Sequence, residues 1–564
     1  MEDDLRDLLF VYALQNAVKH KSTPKAGTVI GLLMGKHPEY RKQAREVPGI
    51  AAEVIQEVNL LSHEERLERL DMLAPGIISE IRESGKNQSK KRLPPLKNVE
   101  DEVVMRFAPN PSGPLHLGHS RAAYLNDEYV RSYGGKLIIR IEDTDPRRVL
   151  RDAYSMVLED IEWMGLEVSE VIYQSNRMDT YYATGEELIR RGGAYVCTCD
   201  QEEFRKLKLS KKACPCREND PDLNLELWRD MLRGIYAEGM ITVRVKTDLE
   251  HPDPAIRDFS IFRIVDSPPH PRIEAKVYPL MNLSVAVDDH ENHMTHVIRG
   301  KDHIANTKRQ DYIFSYLGWK PPQYTHYGRM SISGVVLSTS AMNEGIRRGD
   351  YSGWDDIRLG TLRAIAKRGI KAEAVRKAMI DIGTGDTDIS FSWENLYAHN
   401  KAIIDPVANR YFFVPEPKEV EIKGADPQIA NAALHPNDPS RGTREIRFID
   451  RVYLPLGDMK GKEFARLKDL FNIKIAWDED KISKVSYAGD SLEEARAAKA
   501  PIIQWLPHGY AIPCSVLHPD GDLHGFCEPP VEKEHDRVVQ FERVGFARID
   551  SVKEGKVTAY WAHR

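Results

Sequence analysis

The stretch Arg106-Phe107-Ala108-Pro109-Asn110-Pro111-Ser112-Gly113-Pro114-Leu115-His116-Leu117-Gly118-His119 decides the fold of the central part of this 564-residue chain. Apolar Val103 to Phe107 reads as a buried strand, the Pro/Gly/Ser loop stops it, and Leu115 to Val130 reads as a helix. His116 and His119, three apart, leave one face of the first helical turn. Free backbone N–H groups and the positive end of the helix dipole gather there, which makes a phosphate site. Lys136 to Ile141 follows as a second strand within the span of a βαβ unit. It brings Glu142, Asp143 and Asp145 to its C-terminal end, the edge at which such sheets bind ligands. Two surface residues or two metal ligands are the bland alternatives for His-x-x-His. The Pro-rich loop and the small Gly118 between the imidazoles favour a closely approaching nucleotide instead.

Working outward, the length fits three to five domains. Residues 1–97 read as a helical appendage, with Leu5, Leu8, Leu9 and Tyr12 on one stripe, that ends in an exposed linker over Gly85 to Lys97. Residues 98–191 and 277–341 read as two halves of a Rossmann-type parallel-sheet domain, split by an insertion at 192–276. Val277-Tyr278-Pro279-Leu280 is where the chain is expected to rejoin that sheet, and Val297-Ile298-Arg299 reads as a further strand. A helical connector is expected over 342–400. From 401 to 564, short runs such as Arg410 to Val414, Ile446 to Leu454 and Val557 to Trp561 alternate with Pro/Gly/Asp turns, as in β-barrels.

No apolar run approaches the ~20 residues needed to cross a bilayer. The acidic start Met1-Glu2-Asp3-Asp4 is unlike a signal peptide, so a cytoplasmic location without a membrane partner is expected. A net charge of −6 with 29% charged residues carries no bulk signature of nucleic-acid binding; RNA would have to be met by local patches. Of six cysteines, Cys197, Cys199, Cys214 and Cys216 form two Cys-x-Cys pairs. Four thiolates at such spacing suit one structural Zn2+ with no position left for catalysis. Four reduced thiols in a small insertion is the competing reading, because Cys-x-x-Cys is the commoner spacing.

The segment around His116 and His119 resembles the HIGH signature of class I aminoacyl-tRNA synthetases. The wider match runs from RFAPNPSGPLHLGH through RIEDTDPRR to THVIRGKDH and is similar to the glutamyl/glutaminyl branch, in its archaeal glutamyl form. The resemblance covers nearly the whole chain. It implies a multidomain α/β plus all-β fold: a split Rossmann-type catalytic domain with an inserted acceptor-end-binding domain, a helical N-terminal appendage, a helical connector and anticodon-binding β-barrels. It implies ATP with Mg2+ and glutamate as substrates and tRNA(Glu) as acceptor, with tRNA(Gln) as a second candidate; the oligomeric state is left open, a monomer being favoured.

Site residues follow from the same resemblance. His116 and His119 would donate to phosphate oxygens as charge builds there. Pro109, Asn110, Pro111, Ser112, Gly113 and Gly118 are expected around ATP. Val336-Leu337-Ser338-Thr339-Ser340 resembles the KMSKS loop without its lysines, leaving hydroxyls for the phosphates and Arg329 for positive charge. Taken alone, Ser-Thr-Ser is more often a turn or a helix cap. Asp143 matches the family's anchor for the substrate ammonium, and Asp145, before Pro146, is expected to cap a helix. Arg106 and Arg299 match substrate-contacting arginines. Glutaminyl relatives carry a small neutral residue where Arg299 stands, so the guanidinium points to a side-chain carboxylate. Met281 stands where close relatives place a tyrosine facing the substrate, with Tyr278 or Asn282 as candidates to compensate. Arg410, Tyr411 and Phe412 could stack on anticodon bases or belong to a core. The alternatives are a glutaminyl enzyme, a nucleotidyltransferase that uses no RNA, and a non-catalytic RNA-binding relative. The β region after Asn400 is oversized for the second of these.

Overall fold

The computed structural model describes residues 2–20, 24, 26–43, 46–74, 76–77, 93–479 and 481–564. Of the expected linker over Gly85 to Lys97, residues 85–92 lie outside them. Two compact units divide the chain, Met1–Arg92 and Leu93–Arg564.

In the first unit, helices Glu2–His20, Ala26–Lys36, Val47–Leu60 and His63–Leu73 share one apolar core. Leu5, Leu9 and Tyr12 of the expected stripe are buried in it together with Val29, Leu33, Val54 and Val58. Ser62 caps the last helix reciprocally with Glu65.

In the second unit the fully buried strand Val104–Phe107 pairs in parallel with Lys136–Ile141, which pairs in parallel with Val168–Tyr173. The helix Leu117–Tyr133 crosses between the first two strands. A second parallel pair, His296–Gly300 with Gln323–Tyr327, joins this sheet at its start. There the Thr295 N–H donates to the Val104 carbonyl at 3.0 Å and the Val104 N–H to Thr295 Oγ1 at 3.0 Å. All these strands run the same way, so Phe107, Glu142 and Gly300 end on one edge.

The insertion is a four-stranded antiparallel sheet, Ala194–Cys197, Thr242–Val245, Phe259–Ile264 and Val277–Pro279. Val277 to Pro279 therefore completes the insertion's sheet, and the catalytic sheet is rejoined only at His296. An apolar run announces a strand but not its partner. Here Val277 and Tyr278 bury beside Tyr181, Trp228 and Phe262. Asp145 starts no helix: its carboxylate accepts the Arg147 N–H at 3.3 Å and pairs with Arg263 at 2.6 Å, and the next helix is Ala153–Met164.

Helices Thr339–Arg348, Leu362–Lys367, Ala372–Ile382 and Trp393–Ile404 lead to two curled seven-stranded sheets. The run Ile446 to Leu454 is two strands, Thr443–Phe448 and Arg451–Pro455. Arg410, Tyr411 and Phe412 are buried, which favours the core reading over base stacking. Among the described residues no helix is long and apolar enough to cross a membrane.

Candidate active site

The two imidazoles stack at 3.7 Å between centroids, 20° from parallel, at the start of Leu117–Tyr133. They cap that helix. His116 Nδ1 accepts the Gly118 N–H at 3.0 Å, and His119 Nδ1 accepts the His116 N–H at 3.3 Å. A backbone N–H can only donate, so both Nδ1 atoms are bare and each ring carries its proton on Nε2. Burial holds His116 neutral down to about 4 and pushes His119 well below the usual imidazole range. The pair is thus two neutral N–H donors beside a helix N-terminus. Gly118 lies close against the His116 ring: a Cβ there would lie 2.8 Å from Cε1.

The loop before the helix is stapled down. Glu142 N–H donates to the Pro109 carbonyl, Leu150 N–H to the Pro111 carbonyl, and Leu115 N–H to Asp160 at 2.7 Å. Asn110 Nδ2 donates to the Glu142 carbonyl at 2.7 Å, while its buried Oδ1 has no partner. Ser112 adds a turn, its N–H donating to the Asn110 carbonyl. Gly113 meets the loop Val336–Ser340: a Cβ on it would stand 2.7 Å from Thr339 Cγ2. In that loop Ser338 is the N-cap of Thr339–Arg348, its Oγ accepting the Ala341 N–H at 3.4 Å and lying 3.0 Å from Ser340 Oγ. Ser-Thr-Ser is therefore a helix cap and, at the same place, the wall opposite the Pro-rich loop. Leu337 packs beside Gly360. Arg329 is exposed, its N–H bonded to Asp388, which also pairs with Lys301 at 2.8 Å.

Next to His119 opens a cavity of about 200 Å³ lined by residues that include Arg106, Glu142, Met281, Arg299, His303 and Tyr327. Behind it lies a buried charge network. Asp289 Oδ1 accepts from Arg106 at 3.3 Å and from Arg140 at 2.5 Å, Arg140 also holds Glu142 at 3.0 Å, and Asp288 pairs with Arg177 at 2.7 Å. Burial alone would raise the Asp289 carboxyl, but Arg106 and Arg140 outweigh it and keep it below the ordinary range. Three guanidiniums meet three carboxylates, so the network balances.

Arg299 stands outside that balance. It is 7% exposed and lies 4.7 Å over the Tyr324 ring, and its Nη2 donates only to the neutral oxygens of Thr307 (2.6 Å) and Gln310 (2.9 Å). Its Nε has no partner. Burial, and then repulsion from Arg106, lower it to about 10.

Of the two adjacent acids, the structure places Glu142 on the cavity and Asp143 away from it. Asp143 is fully buried and spent on Ser175 N–H (2.8 Å), Ser175 Oγ (2.7 Å) and Tyr154 Oη (2.7 Å). Met281 does line the cavity, at the start of the helix Met281–Glu291. Tyr278 cannot replace the missing phenol, because its hydroxyl donates to the Ala275 carbonyl. Asn282 is buried with Oδ1 unpartnered, but it does not line the cavity. Tyr327 and His303 also line it: His303 closes the motif THVIRGKDH without having been read as a site residue, and nothing local in the sequence marked Tyr327.

In the insertion the four Sγ atoms of Cys197, Cys199, Cys214 and Cys216 all lie within 4.8 Å of one another, with Cys197–Cys214 at 3.9 Å and Cys199–Cys216 at 3.6 Å. Sulfurs about 2.3 Å from a tetrahedral zinc are about 3.8 Å apart, so the donor set fits that ion. Cys197 is held below the usual thiol range by Cys214 and by nearby Arg244 against the opposing effect of burial.

Comparisons with known proteins agree with this layout. The tRNA synthetases class I (E and Q) catalytic-domain family matches residues 102–406, and two anticodon-binding domain families of the same group match 408–489 and 502–550. Glutamate–tRNA ligase of Methanoculleus marisnigri is 63% identical over 564 residues, covering 100% of both chains. Those of Methanospirillum hungatei (59% over 563 residues, 100% of both) and Methanocorpusculum labreanum (58% over 562 residues, 100% of this chain and 99% of that one) are also similar. The chain belongs to the class I tRNA synthetases of the glutamate and glutamine family.

Proposed function

We propose that this chain is a glutamate–tRNA ligase that activates glutamate with ATP and transfers it to tRNA(Glu). The observation that carries the reading is Arg299, a buried guanidinium in the cavity wall with no carboxylate of its own. A glutamate side chain supplies the missing anion; a glutamine amide leaves the charge uncompensated. The full-length relatives bearing that name support it.

In the first step an oxygen of the glutamate α-carboxylate attacks the α-phosphorus of ATP, the bond to the β-phosphate oxygen breaks, and pyrophosphate leaves. The two Nε2–H groups and the helix N-terminus donate to phosphate oxygens as negative charge grows there. Glu142, oriented by Arg140, accepts from the substrate ammonium, and Arg106 lies beside the same space. ATP brings its Mg2+ as part of the substrate complex. In the second step a terminal ribose hydroxyl of the tRNA attacks the acyl carbon and AMP leaves; positioning supplies most of that acceleration. Zinc held by the four cysteines would order the insertion against the acceptor end. The curled C-terminal sheets would take the anticodon, tRNA(Gln) is a second acceptor to be assayed, and the reaction belongs to the cytoplasm.

Glutamate-dependent ATP–pyrophosphate exchange, run with and without tRNA(Glu), tests the proposal. Exchange is expected with glutamate when tRNA is present and not with glutamine. Arg299→Ala should lower kcat/KM for glutamate by about 100-fold or more while leaving KM for ATP near its starting value. Equal losses for glutamate and ATP, or glutamine used as well as glutamate, would overturn the specificity argument.

A further inference from the structure

The two nucleotide loops, Pro109–Leu117 and Val336–Ser340, are bound from behind by one segment of the connector. The Leu117 N–H donates to the Gly360 carbonyl at 3.0 Å and the Leu362 N–H to the Leu115 carbonyl at 2.9 Å, an antiparallel bridge centred on His116 and Thr361. On its other side the same segment runs parallel to the second loop, and the Gly360 N–H donates to the Val336 carbonyl at 3.0 Å. The fit is close: a Cβ on Gly360 would lie 2.5 Å from Leu337 Cδ2. Fully buried Thr361 donates its hydroxyl to the Trp354 carbonyl at 2.6 Å and caps the helix Leu362–Lys367. The Trp354 ring in turn packs against Gly113 of the first loop.

That six-residue helix ends at Arg368, which is 3% exposed. Arg368 grips the last strand of the chain, Lys556–His563. Its Nε donates to the Trp561 carbonyl at 3.2 Å and its Nη2 to the Ala562 carbonyl at 2.7 Å and to Tyr397 Oη at 2.9 Å. The guanidinium sits 5.5 to 5.8 Å from the rings of Trp393, Tyr397 and Trp561. Trp393 Nε1 then donates to the Ser333 carbonyl at 2.9 Å, three residues before Val336. Two routes thus lead from the final strand to the nucleotide loops, and both pass through the surroundings of Arg368.

We propose that Arg368 is a positioning residue for ATP: by anchoring the helix Leu362–Lys367 on the C-terminal strand, it fixes the separation of the two nucleotide loops. Arg368 touches neither substrate. It sets where Gly360 and Thr361 stand, and they set His116 against the Ser338 helix cap. The proposal rests on the reading of His116, His119 and Val336–Ser340 as the nucleotide site.

The test measures KM for ATP and for glutamate in tRNA-supported exchange for Arg368→Gln and Thr361→Val, together with calorimetric binding of a non-hydrolysable ATP analogue and the thermal midpoint. Arg368→Gln should raise KM for ATP by about 10-fold, since a displacement near 1 Å can cost on the order of 100-fold in rate, with KM for glutamate within about 2-fold. Thr361→Val, which keeps the side-chain volume, should move the same constant in the same direction by about 3-fold. If Arg368→Gln does not fold, Thr361→Val decides. Folded variants with unchanged KM for ATP, or with ATP and glutamate constants rising together, would overturn the proposal. Full exchange by a His116→Ala/His119→Ala double variant would instead overturn the underlying nucleotide-site reading, so the two failures are distinguishable.

Discussion

Near Arg299, Arg106, Arg140 and Arg177 are paired with Asp289, Glu142 and Asp288, whereas Arg299 makes no ion pair; around His116 and His119 charge is nearly absent. In the proposed reaction both places receive anions. The cavity beside Arg299 would take an anion that stays bound through the step, and a standing positive charge serves to choose it. The loops Pro109–Leu117 and Val336–Ser340 would face phosphates whose charge redistributes and partly departs. Neutral N–H groups and a helix end can follow that change without holding the leaving pyrophosphate as tightly as fixed lysines would. The absence of lysine from Val336–Ser340 is consistent with this division.

The largest break of the comparison comes from removing both rings. His116→Ala/His119→Ala should lower glutamate-dependent exchange by roughly 1,000-fold or more, each preorganised donor being worth on the order of 100-fold. Exchange rates at saturating ATP and glutamate read this directly, and a loss below 10-fold would place the phosphate donors elsewhere.

A smaller effect separates the two neighbouring acids. Glu142→Gln should raise KM for glutamate by about 10- to 100-fold with little change in melting temperature. Asp143→Asn should chiefly lower the melting temperature, because three donors converge on that buried carboxylate. The opposite pattern would return the ammonium anchor to Asp143.

The smallest effect is on pH dependence. His116 is neutral in the folded chain down to about 4, whereas in the unfolded chain it titrates near 6.5. Between those values the unfolded chain binds more protons, so stability falls as pH drops through that window and is recovered above it. The urea midpoint should be lower near pH 5 than near pH 7, and the difference should shrink in the His116→Ala/His119→Ala variant. An undiminished difference would mean other groups set the trend.

Much of the centre was legible because its signals are local. Strand, loop and helix around Arg106–His119 follow from an apolar run, a Pro/Gly stop and a helical spacing, and the observed strand Val104–Phe107 lies within the expected one. Four cysteines so close in sequence had few ways to sit apart. What could not be read depends on partners far along the chain. Glu142 and Asp143 both follow one strand end, and only the folding back of Ser175 and Tyr154 decides which of them is used up. Val277–Pro279 carries a strand pattern that fits either sheet. Tyr327 reaches the cavity from the end of a separate strand, Gln323–Tyr327. Arg410–Phe412 could have belonged to an exposed strand, but all three are buried, with Tyr411 Oη donating to Glu534 and the Phe412 N–H to Glu528.

The caps on Leu117–Tyr133 carry one more consequence. With each Nδ1 claimed by a main-chain amide, neither ring can pick up a proton there without letting go of the helix it closes. The histidine pair is therefore excluded from the role of general base, although histidine is the residue most often found in it. When the ribose hydroxyl is acylated, its proton is therefore left to an acceptor other than these two rings.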